Sequence, residues 1–193
     1  MSSVVISGDT SGAITVSAPA VAGTNTLTLQ AATATSAVNT LSTAVASTSG
    51  TSIDFTSLPS WIKRITVMFS GVSTNGTSNY QVQLGNGSFV TSGYLSANTS
   101  SNSGGNNLVT ATSGIIVSQP DTGATSTIGA LTLTLISSNT WIGTGVVYRT
   151  STAATQHMAA SLALGGTLDR VRLTTVNGTD TFDAGTVNIL YEG

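Results

Sequence analysis

The chain has 193 residues, long enough for one domain of ordinary size with a short appendage and too short for two large ones. Only 6% of its residues are charged, the formal net charge is -2, and Ser and Thr fill about a third of positions, so the surface must be hydroxyl-rich rather than ionic. Five basic residues, Lys63, Arg64, Arg149, Arg170 and Arg172, are too few to neutralise the phosphates that nucleic-acid affinity requires, and the lack of cysteine excludes a disulfide framework and a thiolate metal site. No run of 18 apolar residues occurs and the first residues lack the basic and apolar regions of a Sec signal, so neither membrane insertion nor Sec export is expected.

Apolar alternation predicts three short strands in residues 1–33, at Val4 to Ile6, Ala13 to Ala18 and Thr26 to Leu29, separated by Gly8, Gly12, Pro19 and Gly23. Ile14, Val16 and Ala18 share one face, and Leu27 and Leu29 share another. A single hairpin is at best marginal in water, so these faces need a cover from elsewhere. Over 34–50 the pattern changes: Ala34, Val38, Leu41 and Val45 recur at spacings of four, three and four, the seam of a coiled coil. It spans under three heptads and is rich in Ser and Thr, which leaves a short helical stalk or a linker as its two readings.

From 51 to 193 strand follows strand. Arg64 to Ser70 aligns Ile65, Val67 and Phe69, and Tyr80 to Leu84 aligns Tyr80, Val82 and Leu84, with an Asn75-Gly76 turn signal between them. Further strands are predicted at Gly114 to Ser118, Leu131 to Ile136, Gly145 to Arg149, Met158 to Leu164, Arg170 to Thr175 and Thr186 to Tyr191. About eight strands with Gly and Asn turns and no long helix predict an all-β antiparallel sandwich or jelly roll. The segment Ser96 to Asn107, SANTSSNSGGNN, reads as an exposed loop.

Catalytic chemistry finds few residues. The chain has one histidine, His157, and no G-x-S-x-G elbow, so His157 reads as a surface or interface side chain. Asp180 and Asp183 in NGTDTFDAG are the best carboxylate pair for glycan cleavage, yet aspartates at a turn commonly bond their own backbone. The glycine pairs of GNG at 85–87 and GTG at 143–145 lack a following Lys or helix start and read as turns or bulges. No cofactor or metal is expected. Trp61, Phe69 and Tyr80 read as core, while Phe89, Tyr94 and Trp141 stand near predicted strand ends, where an aromatic ring could stack on a sugar.

Three phrases, SGAITVSAPAVAGTNTLTLQAAT, IDFTSLPSWIKRITVMFSGVSTNGTSNYQVQLG and LDRVRLTTVNGTDTFDAGTVNILYEG, resemble small virion surface proteins of tailed bacteriophages, tail-fibre-like or head-fibre-like, a resemblance that extends over nearly the whole chain. The N-terminal AP-x-VAGTNTLTL resembles a segment that precedes varied C-terminal modules in such proteins, though Gln30 stands where a Pro is common. The resemblance implies a homotrimer on the virion surface, assembled in the host cytoplasm, with residues 1–33 mounting it on other virion proteins of capsid or tail. Ile14, Val16, Val21, Leu27, Leu29, Val38, Leu41 and Val45 would then form the attachment and trimer interface. The function implied is non-enzymatic: a fibre or knob that attaches to the host, with Phe89, Tyr94 and Trp141 facing a host surface glycan. The alternatives are a capsid decoration or head-fibre protein at three-fold positions and, resting on Asp180 and Asp183, a glycan depolymerase.

Overall fold

The computed structural model describes residues 3–7, 13–17 and 38–193, and the chain divides into two units, Met1–Ser36 and Ala37–Gly193. In the first unit β1 (Ser3–Ser7) and β2 (Ala13–Ser17) form an antiparallel pair, with Val4 opposite Val16 and Ile6 opposite Ile14. These are the first two predicted strands; the third, at 26–29, lies outside the described residues.

The second unit contains β3 (Asn39–Leu41), β4 (Val45–Ala46), β5 (Ser52–Thr56), β6 (Arg64–Thr74), β7 (Tyr80–Asn86), β8 (Ser88–Phe89), β9 (Leu95–Asn102) and β10 (Gly105–Ala111). Then come β11 (Ile115–Ser118), β12 (Thr127–Ser137), β13 (Thr140–Arg149), β14 (Ala154–Ala163), β15 (Arg170–Thr175) and β16 (Phe182–Glu192). All pairings are antiparallel. One sheet has nine strands, in the order β10-β9-β14-β13-β12-β6-β16-β3 with β4 also on β16; the other has five, in the order β11-β7-β15-β5 with β8 on β7. The expected all-β antiparallel, sandwich-like fold is the one found.

One core joins the inner faces. Ile65, Val67 and Phe69 of β6, Leu131 and Leu133 of β12, and Val187 and Ile189 of β16 pack with Tyr80, Val82 and Leu84 of β7 and Val171 and Leu173 of β15. Each set alternates along its strand, which is why period-two reading located them. The bulge that lets β16 follow β6 needs glycine. Gly185 has φ +95° and a Cβ there would collide with the backbone of Gly71, itself at φ +69°.

Four expectations are corrected. No helix occurs among the described residues, and the segment read as a coiled-coil seam or linker supplies β3 and β4, laddered onto β16. Val38 and Leu41 are exposed, and only Val45 packs against the core. Second, Ser96 to Asn107 is no loop but most of the β9-β10 hairpin, turning at Ser103 and Gly104. Third, Gly143 and Gly145 lie within β13, where a Cβ on Gly145 would strike the backbone of Ala130 and one on Gly143 would press on Ile115, Leu131 and Leu133. Finally, Trp61 is exposed at 38%, its ring tilted 45° against Tyr191 with centroids 5.8 Å apart, whereas Phe69 and Tyr80 are core as expected.

Candidate functional site

The three aromatic residues expected at a ligand are not together on the surface. Tyr94 is fully buried: its Oη accepts the Leu84 N–H at 2.7 Å and donates to the Val90 carbonyl at 3.1 Å, and burial pushes its phenol up to about 12. Trp141 is also core, on the inner face of β13. Only Phe89 is part-exposed, and its ring is covered by Arg172, whose guanidinium carbon lies 4.0 Å from the centroid, with Arg170 at 5.7 Å. Two of the three rings expected to stack on sugar therefore serve packing, and the third serves an arginine cluster.

That cluster lies on the five-stranded sheet. Arg172 donates to both oxygens of Asp54 at 2.7 Å, and Arg170 to Asp169 at 2.7 and 3.1 Å. The Arg170 hydrogen bonds, aided by the Gly87 N–H, hold the Asp169 carboxyl below the usual range. Other carboxylates are equally occupied. Asp121 accepts from Ser151 and Thr125, Glu192 pairs with Arg64, and Asp183 accepts from Ser73 Oγ. Asp180 accepts the Ser78 N–H at 3.0 Å and an Asn177 amide N–H, while a Cβ on Gly76 would strike its carboxylate. Asp180 thus closes a turn, as its sequence context suggested. Among the described residues no group of three His, Asp or Glu could hold a metal ion.

The outer face of the nine-stranded sheet has a different character. Ile142, Thr144, Val146 and Tyr148 alternate outward along β13 while Trp141, Gly143 and Val147 point inward. Register carries this surface across the sheet: Leu108, Thr99, His157, Val146, Ala130, Met68 and Asn188 form one row, and Thr110, Ala97, Ala159, Thr144, Thr132, Thr66, Leu190 and Leu41 the next. Val146 is 49% exposed, Ile128 47% and Leu95 74%. His157 stands in the middle of this face, and the Arg64–Glu192 pair stands at one rim.

Near Leu95 the face dips into an open apolar trough lined by Ala97, Thr110, Ala159 and Ser161. Small side chains on β9 and β14 make the hollow, and larger ones on β13 make the ridge beside it. Eight strands at about 4.8 Å spacing and about seven residues of strand give a face of roughly 900 Å², the scale of one side of a standard protein interface. Reading the sequence had not singled out Ile128, Ile142, Val146 or Tyr148. A signal was present in TWIGTGVVYR, which carries apolar residues on both of its alternating faces.

Of the residues expected at an attachment interface, Ile14 and Val16 stand opposite Ile6 and Val4 in the β1-β2 pair, and Val21, Leu27 and Leu29 lie outside the described residues. No known protein family, curated protein or solved structure matches this chain.

Proposed function

We propose that the chain is a non-enzymatic structural protein of a tailed-bacteriophage virion surface, assembled as a homotrimer into a fibre or knob that attaches to the host. The observation that carries this reading is the broad, nearly uncharged outer face of the nine-stranded sheet, studded with exposed Leu95, Ile128, Ile142 and Val146. Exposed apolar side chains gathered on one sheet face are the kind of surface that marks an interaction site, which supports a partner there. The resemblance in sequence supplies the count of three and the setting. The tying of every described carboxylate to an arginine, hydroxyl or backbone group supports a role without hydrolysis.

A capsid decoration or head-fibre role is the second reading. It is favoured by the loss of the aromatic platform, since Tyr94 and Trp141 are core and Phe89 is capped by Arg172. Antibody labelling of intact virions separates the two: label at the tail tip supports the fibre, and label over the head supports decoration. Saturable adsorption of the purified chain to host cells tests attachment, and its absence would remove the adhesive part.

A further inference from the structure

Three Asn-Gly pairs punctuate the second unit, Asn75-Gly76, Asn86-Gly87 and Asn177-Gly178, each where one strand gives way to the next and each with an exposed asparagine. An asparagine before glycine is open to one covalent change, because glycine has no side chain to shield its nitrogen. That nitrogen, once its proton has passed to hydroxide, attacks the asparagine Cγ. A five-membered imide closes, the Cγ–Nδ2 bond breaks, and the amine takes a proton from water and leaves as ammonia. Water then adds to one of the two imide carbonyls and breaks its bond to the glycine nitrogen. Attack at Cγ gives aspartate, and attack at the backbone carbonyl gives isoaspartate.

Exposure is common to all three asparagines, so hydrogen bonding to the reacting groups decides among them. At Asn86 both groups are held: Nδ2 donates to the Thr167 carbonyl at 2.6 Å, and the Gly87 N–H donates to the two oxygens of Asp169 at 3.2 and 3.1 Å. A carboxylate on that N–H opposes the removal of its proton. At Asn177 the Gly178 N–H donates to the Thr175 carbonyl at 3.1 Å and Nδ2 donates to Asp180, while Oδ1 accepts from Thr175 Oγ1 and the N–H groups of Thr179 and Asp180. Asn75 differs. Neither its Nδ2 nor the Gly76 N–H has a hydrogen-bond partner among the described residues, so nucleophile and leaving group are both free. Its Oδ1 accepts the Thr181 N–H at 2.9 Å, a donor placed on the oxygen where negative charge gathers as the nitrogen adds.

We infer that Asn75 is the chain's site of spontaneous deamidation, converting to aspartate and isoaspartate ahead of Asn86 and Asn177. The change falls on a clip. The Asn75 N–H donates to the Thr181 carbonyl at 2.9 Å, so two hydrogen bonds tie the β6-β7 turn to the segment that leads into β16. Either product adds a negative charge beside Asp180, whose carboxylate packs against Gly76, and isoaspartate also lengthens the backbone within the clip.

Timed incubation of the full chain at mildly alkaline pH, followed by chymotryptic digestion and tandem mass spectrometry, tests the assignment, because cleavage after Tyr80, Phe89 and Phe182 separates the three asparagines. In the folded chain Asn75 should gain the mass of an amide-to-acid change at least about tenfold faster than Asn86 or Asn177, the factor that two hydrogen bonds on the reacting groups represent. In urea the three rates should converge, since each pair is followed by Thr or Ser and only folding tells them apart. Asp169→Ala, which frees the Gly87 N–H, should speed Asn86 several-fold and leave Asn75 unchanged. Earlier conversion of Asn86 or Asn177, a spread of rates that persists in urea, an Asn86 indifferent to Asp169→Ala, or an Asn75 that stays intact in the folded chain while it converts in urea would overturn it.

Discussion

Replacing Tyr94 with Phe keeps the ring in the core and removes one oxygen. That oxygen satisfies the buried Leu84 N–H at 2.7 Å and bonds the Val90 carbonyl at 3.1 Å. Leaving a buried donor unpaired costs about 1–3 kcal/mol, and at roughly 2–4 °C per kcal/mol for a chain of this size the melting temperature should fall by about 6 °C at neutral pH. The pH dependence gives a second signature. The Tyr94 phenol ionises at about 12 when folded, against 10.0 for an ordinary tyrosine. Because the folded value is raised, the stability linked to the neutral phenol is complete below pH 10 and is lost as pH climbs from 10 toward 12. Two pH units correspond to about 2–3 kcal/mol, so the advantage of wild type over Tyr94→Phe should shrink through that window and approach zero. Urea denaturation of both proteins at pH 7, 9, 10.5 and 11.5 measures it. A neutral-pH loss under about 0.5 kcal/mol, or a gap independent of pH to 11.5, would refute the placement of Tyr94 as a buried pin.

Gly185→Ala forces a side chain into φ +95° against Gly71 and should cost about 1–3 kcal/mol or more by denaturant titration. Arg172→Ala removes a surface pair with Asp54 and uncovers Phe89, so a loss of only about 1 kcal/mol is expected, and a larger loss by calorimetry would mean that the arginine cluster is a structural keystone. The wild-type chain should release no reducing ends from host polysaccharide. Release that disappears in the Asp180→Asn, Asp183→Asn double variant would restore the hydrolase reading.

The strands that sequence pattern located are those whose inward residues are apolar. Ile65, Val67 and Phe69 announce β6, and Tyr80, Val82 and Leu84 announce β7. The β9-β10 hairpin escaped because its buried face is polar: Ser96, Asn98 and Ser100 point inward, with Asn98 donating to the Ile116 carbonyl, so no period of two in hydrophobicity marks it. At 38–46 the reverse happened. Val38, Leu41 and Val45 fall at helical spacing, but a free edge on β16 pairs with Asn39–Leu41 and Val45–Ala46, and tertiary ladder bonds outweigh the mediocre helix propensity of a Ser/Thr-rich stretch. Tyr94 and Trp141 looked available because position relative to predicted strand ends says nothing about which face a ring takes. The large sheet's outer face was legible only in part, since Val146 and Tyr148 become a surface when the register of β12 and β14 sets them beside Ala130, Ile128 and His157.

In the proposed trimer, copies of this chain cover one another's nearly uncharged sheet face. Native mass measurement of the full-length wild-type chain beside Val146→Lys tests it most directly, because Val146 is central to that face and half exposed, so the lysine should not disturb folding. A trimer for wild type and a monomer of unchanged thermal stability for Val146→Lys are predicted. A monomeric wild type, or a trimer indifferent to the lysine, would contradict the account.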